Sequence, residues 1–362
     1  MNKKRLHKIF IGTFLLLLIV PNIIMFTSFE AGLNDTEKRG SKKIELTKGI
    51  QSFISSFKGY YKDHFGLKKT LTQSYIAFKN NVLDESPIPN KVVIGKAKDW
   101  YFLGDDFSDA FSGSIGASQY NEKDIKKIVD DIETMSLWLN EQGIKFYLAV
   151  PPNKHTVYKD LLPLKYNNTS KYEHALNAIK ANTNVSIIDL KRPLLKLRDS
   201  LQIYHTTDSH WNDLGAYFGY RIVMNHLKID FPELEAISLN SFNKKSMMSQ
   251  HQEMTRMINL TVDEPIIKLE KKSPSNVSVK INTNSFSHFE NSDKNLKIYF
   301  CRDSFSNAWI KYFNESFGAS LYAKTYRINK NQILREKPDI VILEFVERKF
   351  DYFVKYKKPI LY

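Results

Sequence analysis

Cysteine is nearly absent: Cys301 is the single one in 362 residues, so no intramolecular disulfide can form and stability has to come from packing. Zinc-finger and thioredoxin-type chemistry are excluded on the same ground. No internal repeat is present, and no small-residue cleavage site of the A-x-A kind follows the N-terminal apolar run. Acidic residues are also in deficit, 39 against 53 lysines and arginines, which leaves a formal charge of +14. Such a balance first suggests nucleic acid. The export topology argued next points instead to an anionic surface polymer or lipid headgroups, or to a lysine-rich solvated surface with no partner at all.

What is present begins with a membrane segment. Lys3, Lys4, Arg5 and Lys8 precede 21 uncharged residues, Ile9 to Phe29, enough to cross ~30 Å of hydrocarbon as a helix. A cleaved secretory signal has a similar outline, but without a cleavage site the retained anchor is the favoured reading. Pro21 and Asn22 are tolerated in a spanning helix whose neighbours satisfy the freed carbonyl. The basic N-terminus lies on the cytoplasmic side by the positive-inside rule, which puts everything after Glu30 outside the cytoplasm and excludes nucleic acid as partner. The expected organisation is an anchor at 1–29, a polar linker at 30–50 and a catalytic domain at 51–362.

Within that domain, residues 51–79 carry apolar side chains at helical spacing, interrupted near Gly66, and 92–103 reads as a strand or hairpin. The segment 121–142 is an amphipathic helix with Ile125, Ile128, Ile132, Met135 and Leu139 on one face, stopped by Gly143. Short apolar runs at 144–150, 185–190, 296–301, 319–323 and 339–345 read as strands, with helices expected at 171–181, 214–227 and 307–317. This alternation predicts an α/β fold with a mostly parallel sheet covered by helices on both faces. Between 231 and 295 the rhythm fails, and an inserted β-rich excursion is expected.

Two polar segments fall where such sheets place their ligands, at the C-terminal ends of strands: HTTDSHWND at 205–213 and CRDSFSNAW at 301–309. A serine hydroxyl is a weak nucleophile until a base takes its proton and a third group orients that base. Ser304 follows a strand, His210 can supply the base, and Asp208 can orient the imidazole if the segment turns back on itself. Backbone N–H groups near Ser304, helped by Arg302, would hold a developing oxyanion. Asp208 and Asp303-Ser304 can equally be helix caps. Zinc held by His205, Asp208 and His210 is a weaker reading, since no further strong ligand is close in sequence, and no metal or cofactor is expected.

At these residues the chain resembles the alginate O-acetyltransferase family of the AlgJ and AlgX type. TDSHWNDLGAY at 207–217 is similar to the T-D-x-H-W-x-x-x-G-A signature, and CRDSFS at 301–306 to the G-D-S-F-S nucleophile turn. Residues 92–106, VPPNKHTVY at 150–158 and EFVER at 344–348 resemble three further family segments in the same order. The resemblance implies an SGNH-hydrolase-like α/β/α fold in which the Asp-x-His loop precedes the serine. It further implies acetyl transfer to hydroxyls of an exopolysaccharide or cell-surface glycan, with Ser304 as acylated nucleophile, His210 as base and Asp208 as orienter. Trp211, Arg302, Lys154 and Tyr158 would line the substrate site, Glu347 would line or brace it, and a membrane-bound O-acyltransferase would deliver the acetyl groups. Arg302 and Lys98 depart from the pattern, Arg302 standing where the family has glycine. No carbohydrate-binding module is evident after residue 350, as in the single-domain anchored members. An esterase using the same three residues and a non-catalytic binder of an anionic polymer are the alternatives.

Overall fold

The computed structural model describes residues 3–27, 29, 43–45, 49–83, 85–164, 168–249, 252–258 and 260–362. Most of the expected linker at 30–50 lies outside them. The chain divides into two compact units, residues 1–88 with 256–260, and the remainder.

The first unit is helical. Lys3–Ile24 is, among the described residues, the one helix long and apolar enough to cross a membrane. Its 22 residues span ~33 Å at 1.5 Å per residue. Only Pro21 on it is buried. The helices Ile50–His64 and Lys68–Asn81 break at Gly66, as the spacing predicts. Glycine is needed there, since a Cβ would meet the Pro21 carbonyl oxygen at 2.1 Å, while Tyr61 donates to Asn22 Oδ1 at 3.0 Å.

The second unit opens with the antiparallel hairpin β1 (Val92–Ile94) and β2 (Tyr101–Leu103). A seven-stranded sheet follows, in the order β4-β3-β11-β9-β10-β8-β7, with β7 at Val277–Asn282 and β8 at Phe286–Asn291. Its parallel strands are β3 (Lys145–Ala149), β4 (Ser186–Ile188), β9 (Lys297–Cys301), β10 (Ala319–Ala323) and β11 (Ile340–Glu344). They are legible as unbroken apolar runs because both faces are covered. Along β9, Ile298 and Phe300 enter one core and Tyr299 and Cys301 the other, the two-residue period of a strand. The helix Glu122–Glu141, capped by the Asn121 side chain, packs Ile128, Ile132, Met135 and Leu139 on the Cys301 face. The helix Asp213–Leu227 packs Ala216, Tyr217, Tyr220 and Val223 on the other. The result is the three-layer α/β/α arrangement. Burial pushes the Cys301 thiol up to about 12.

Two expectations need correcting. The segment 231–295 is only partly an excursion: β7 (Val277–Asn282) and β8 (Phe286–Asn291) extend the central sheet as an antiparallel edge. The rest forms a separate hairpin of β5 (Phe242–Met248) and β6 (Pro265–Lys271). The expected helix 307–317 is a tight turn over Phe305–Ala308 and a four-residue helix, Ile310–Phe313. Its N–H groups alternate between reaching back three residues, as from Trp309 to Ser306 and from Ser316 to Phe313, and four, as from Phe313 to Trp309 and from Phe317 to Phe313, while Phe305, Trp309, Phe313 and Phe317 are all fully buried. Core packing of these aromatics overrides a regular helix.

Gly215, in the first turn of Asp213–Leu227, is a close-approach site, where a Cβ would lie 2.1 Å from the Ile203 carbonyl oxygen. Glycine to alanine inside a helix ordinarily stabilises by up to ~1 kcal/mol. Gly215→Ala should do the opposite and lower stability by about 1–3 kcal/mol, read as a lower urea midpoint.

Candidate active site

Beyond β9 the chain turns sharply, and carboxylates hold the turn. Asp303 Oδ1 accepts from Phe305 N–H at 2.8 Å and Oδ2 from Val346 N–H at 2.9 Å. Glu344, the last residue of β11, accepts from Asp303 N–H at 3.1 Å and from the Ser306 hydroxyl. Burial and the nearby Asp303 charge push the Glu344 carboxyl well above the usual range. These bonds fix the backbone on either side of Ser304, which stays half-buried with its hydroxyl at the surface of a cavity.

From 94 residues away, His210 meets it. The Ser304 hydroxyl donates to His210 Nε2 at 2.7 Å, and His210 Nδ1 lies 2.6 Å from Asp208 Oδ1. The tautomer with the proton on Nδ1 satisfies both contacts. Asp208 Oδ1 also accepts from the backbone N–H of His210 at 3.0 Å, so the segment does fold back as a turn. Burial alone would raise the Asp208 carboxyl, but its hydrogen bonds to His210 and the imidazole's charge hold it well below the ordinary carboxylate range.

The segment carrying Asp208 and His210 has little regular structure and is largely buried, so its backbone groups need partners from elsewhere. Lys154 supplies one set: Nζ donates to the carbonyls of Tyr101 at 2.6 Å, Thr206 at 2.7 Å and Asp208 at 3.3 Å. Burial pushes its ammonium down to about 7, against the pull of Glu264 and Asp208. Glu264 supplies the other, accepting from Thr206 N–H at 2.6 Å and from the Thr207 hydroxyl at 2.5 Å. Burial raises the Glu264 carboxyl, and the bonds from His205 and Thr207 more than reverse that. Trp211 ties the two loops together, with Nε1 donating to the Phe305 carbonyl at 3.1 Å and its ring 5.0 Å from that of Trp309.

A cavity of ≈ 490 Å³ opens over these groups, lined by Asp208, His210, Trp211 and Ser304, and also by His205, Asp213, Glu253, Lys268, Phe305, Asn307, Ala308 and Lys311. Of the residues expected to line a substrate site, Trp211 does so, while Lys154, Tyr158 and Arg302 are not on the wall. Lys154 spends its hydrogens on carbonyls. Tyr158 is buried against Trp100, with its hydroxyl accepting from Ile203 N–H at 3.1 Å. Arg302 is buried and donates to the Asp303 carbonyl and to Asn307 Oδ1, and the Phe305 N–H is already used by Asp303. The Phe305 N–H is therefore not available to an oxyanion, and Arg302 lies off the cavity wall. Arg302 instead orients Asn307, whose side-chain N–H groups are left to the cavity. Glu347 is a brace, accepting from Asn153 N–H at 2.8 Å and from the Thr156 hydroxyl at 2.5 Å.

Asn307, Glu253, Glu264, Lys268 and Lys311 were not singled out from the sequence. Asn307 had one signal, its place three residues after Ser304 on the same turn; Glu253 and Glu264 lie in the aperiodic stretch and had none. Ligand atoms of Asp208, His210 and Glu253 lie within 4.8 Å of one another. Nδ1 of that imidazole faces Asp208 and Nε2 faces the Ser304 hydroxyl. His205 is not part of that group; its Nδ1 stands 3.3 Å from Glu264 Oε1.

A mostly parallel sheet with serine, imidazole and carboxylate in hydrogen-bonded series beyond the C-terminal ends of its strands is the arrangement of an SGNH-hydrolase-like domain. The chain belongs to the family described as SGNH hydrolase-like domain, acetyltransferase AlgX, whose model matches residues 92–322. It is 26% identical over 213 residues to the probable alginate O-acetylase AlgJ of Pseudomonas syringae pv. tomato, a match covering 58% of this chain and 48% of the relative. To its counterpart in Pseudomonas aeruginosa it is 28% identical over 164 residues, 44% of this chain and 39% of that one. The matches thus span about half the length of these relatives or less. In fold the chain is similar to PatB1 of Bacillus cereus, with a TM-score of 0.56 and 17% identity over 74% of this chain and all of that one. It is also similar to the O-acetyltransferase domain of Pseudomonas putida AlgJ, with a TM-score of 0.52 and 16% identity over 74% of this chain and 94% of that domain.

The Asp208 carboxyl contributes stability above its unfolded pKa, about 4, and that contribution is lost as the pH falls through the lower folded value. Urea midpoints measured from about pH 4 down to pH 2 should therefore fall more steeply for wild type than for Asp208→Asn.

Proposed function

We propose that this chain is a membrane-anchored, extracytoplasmic O-acetyltransferase that moves acetyl groups through Ser304 onto hydroxyls of a polysaccharide. The unbroken Ser304–His210–Asp208 series at the cavity surface carries the reading, with the family and its alginate O-acetylase relatives in support. In the first half-reaction the Ser304 oxygen attacks the acetyl carbonyl carbon as His210 Nε2 takes its proton, and His210 returns that proton to the departing group. Asp208 holds the imidazole and balances its charge. The side-chain N–H groups of Asn307, together with the backbone N–H of Ser304, are the donors assigned to the oxyanion.

In the second half-reaction an acceptor hydroxyl attacks acetyl-Ser304. His210 takes its proton, the bond from serine oxygen to acetyl carbon breaks, and the proton passes to Ser304. No cofactor enters either step. The apolar helix Lys3–Ile24 is the anchor, and the acetyl donor comes from a membrane-bound O-acyltransferase in the same membrane. An esterase would use the same residues with water as acceptor.

The test supplies the detergent-solubilised chain with a chromogenic acetyl ester and oligosaccharides and follows products by mass spectrometry. Wild type should carry acetyl on Ser304 and acetylate the glycan. Ser304→Ala and His210→Ala should each lose about 10³-fold or more in rate. Release of acetate alone would assign an esterase, and turnover unaffected by Ser304→Ala would overturn the proposal.

A further inference from the structure

Glu253 lies on the cavity wall beside His210 and has no task inside the protein that accounts for its charge. It is half-buried, and Oε2 accepts from the Ser209 hydroxyl at 2.7 Å, which fixes the carboxylate. The other carboxylates nearby are matched. Asp213 pairs with Lys311 at 2.6 Å, Glu264 is filled by Thr206 and Thr207, and Asp208 is held by His210. Among the described residues, no lysine or arginine forms an ion pair with Glu253. Its carboxylate nevertheless comes within 4.8 Å of a ring nitrogen of His210.

We infer that Glu253 binds the acceptor, taking a hydrogen bond from the hydroxyl next to the one that attacks acetyl-Ser304, and so selects a sugar diol over an acceptor with a lone hydroxyl. This rests on the acyl-serine reading above. The reacting hydroxyl must give its proton to His210, and a carboxylate can only accept, so the group it meets must be a donor. Adjacent hydroxyls on a sugar ring lie about a hydrogen-bond length apart. One can therefore meet the imidazole while the other meets Glu253. A site built to bond a second hydroxyl discriminates against an acceptor that lacks it.

The experiment uses the full chain in detergent with an acetyl ester donor and two acceptors: a neutral xylo-oligosaccharide with adjacent free hydroxyls, and the same compound with one of the pair O-methylated. Glutamine keeps the oxygen that Ser209 bonds, so Glu253→Gln should fold with an unchanged thermal midpoint, and acetyl-Ser304 should still accumulate on donor alone. Its acceptor KM should rise, and its ratio of transfer to hydrolysis should fall, by about tenfold or more, the usual effect of losing a hydrogen bond to a charged group. On wild type the methylated acceptor should show the same loss, and Glu253→Gln should add little to it. A ratio unchanged in both Glu253→Gln and Glu253→Ala would overturn the assignment, as would a penalty for methylation that persists undiminished in the variants. If wild type never acquires acetyl on Ser304, the acyl-serine reading itself falls and this assignment with it, an outcome distinct from an unchanged ratio on a serine that does acylate.

Discussion

A buried loop that is neither helix nor strand has to find partners for its backbone, and here two buried ions of opposite sign provide them. Lys154 gathers the carbonyls of Tyr101, Thr206 and Asp208, and Glu264 gathers donors from Thr206 and Thr207. Left unpaired, each such group would cost about 1–3 kcal/mol. With both in place, the turn that folds Asp208 onto His210 has one arrangement available to it. The orientation of the imidazole thus depends on residues that never approach the serine.

The serine's position has a separate origin. Asp303 and Glu344 lash the end of β9 to the end of β11, so the nucleophile is fixed to the middle of the sheet. The imidazole instead hangs from the segment between β4 and the helix Asp213–Leu227. Trp211 joins the two supports by bonding the Phe305 carbonyl and packing on Trp309. A 2.7 Å contact between groups 94 residues apart is thereby held by the rigidity of two independently anchored loops.

Much of this was legible in the sequence. The parallel strands declared themselves as apolar runs because they are covered on both faces, and the long helix 122–141 because one face is buried and the other wet. Ser304 stood out because it directly follows a strand, and His210 because its polar segment comes just before a helix, where catalytic loops of such sheets belong. Lys154 was visible inside a recognisable motif, yet its work is to bind carbonyls, which have no sequence identity and leave no pattern. Glu253 and Glu264 lie in the stretch without period, and their placement follows from the β5–β6 hairpin, a tertiary fact. The same stretch was expected to be β-rich, but that β7 and β8 extend the central sheet was not visible in it, since antiparallel strands at a sheet's margin carry a weaker apolar signal than central ones.

Cys301 stands three positions before Ser304, on the face of the sheet opposite the serine's neighbours, fully buried and with its thiol pushed up to about 12. It is therefore silent toward thiol reagents while the fold is intact. The natural chain is in effect already a cysteine-free surface. A single cysteine introduced on the hairpin, the cavity rim or the helix 122–141 would be the only reactive thiol in the folded protein, ready for a fluorophore or spin label without any background to remove. Conversely, the appearance of reactivity at Cys301 would report the opening of the sheet itself.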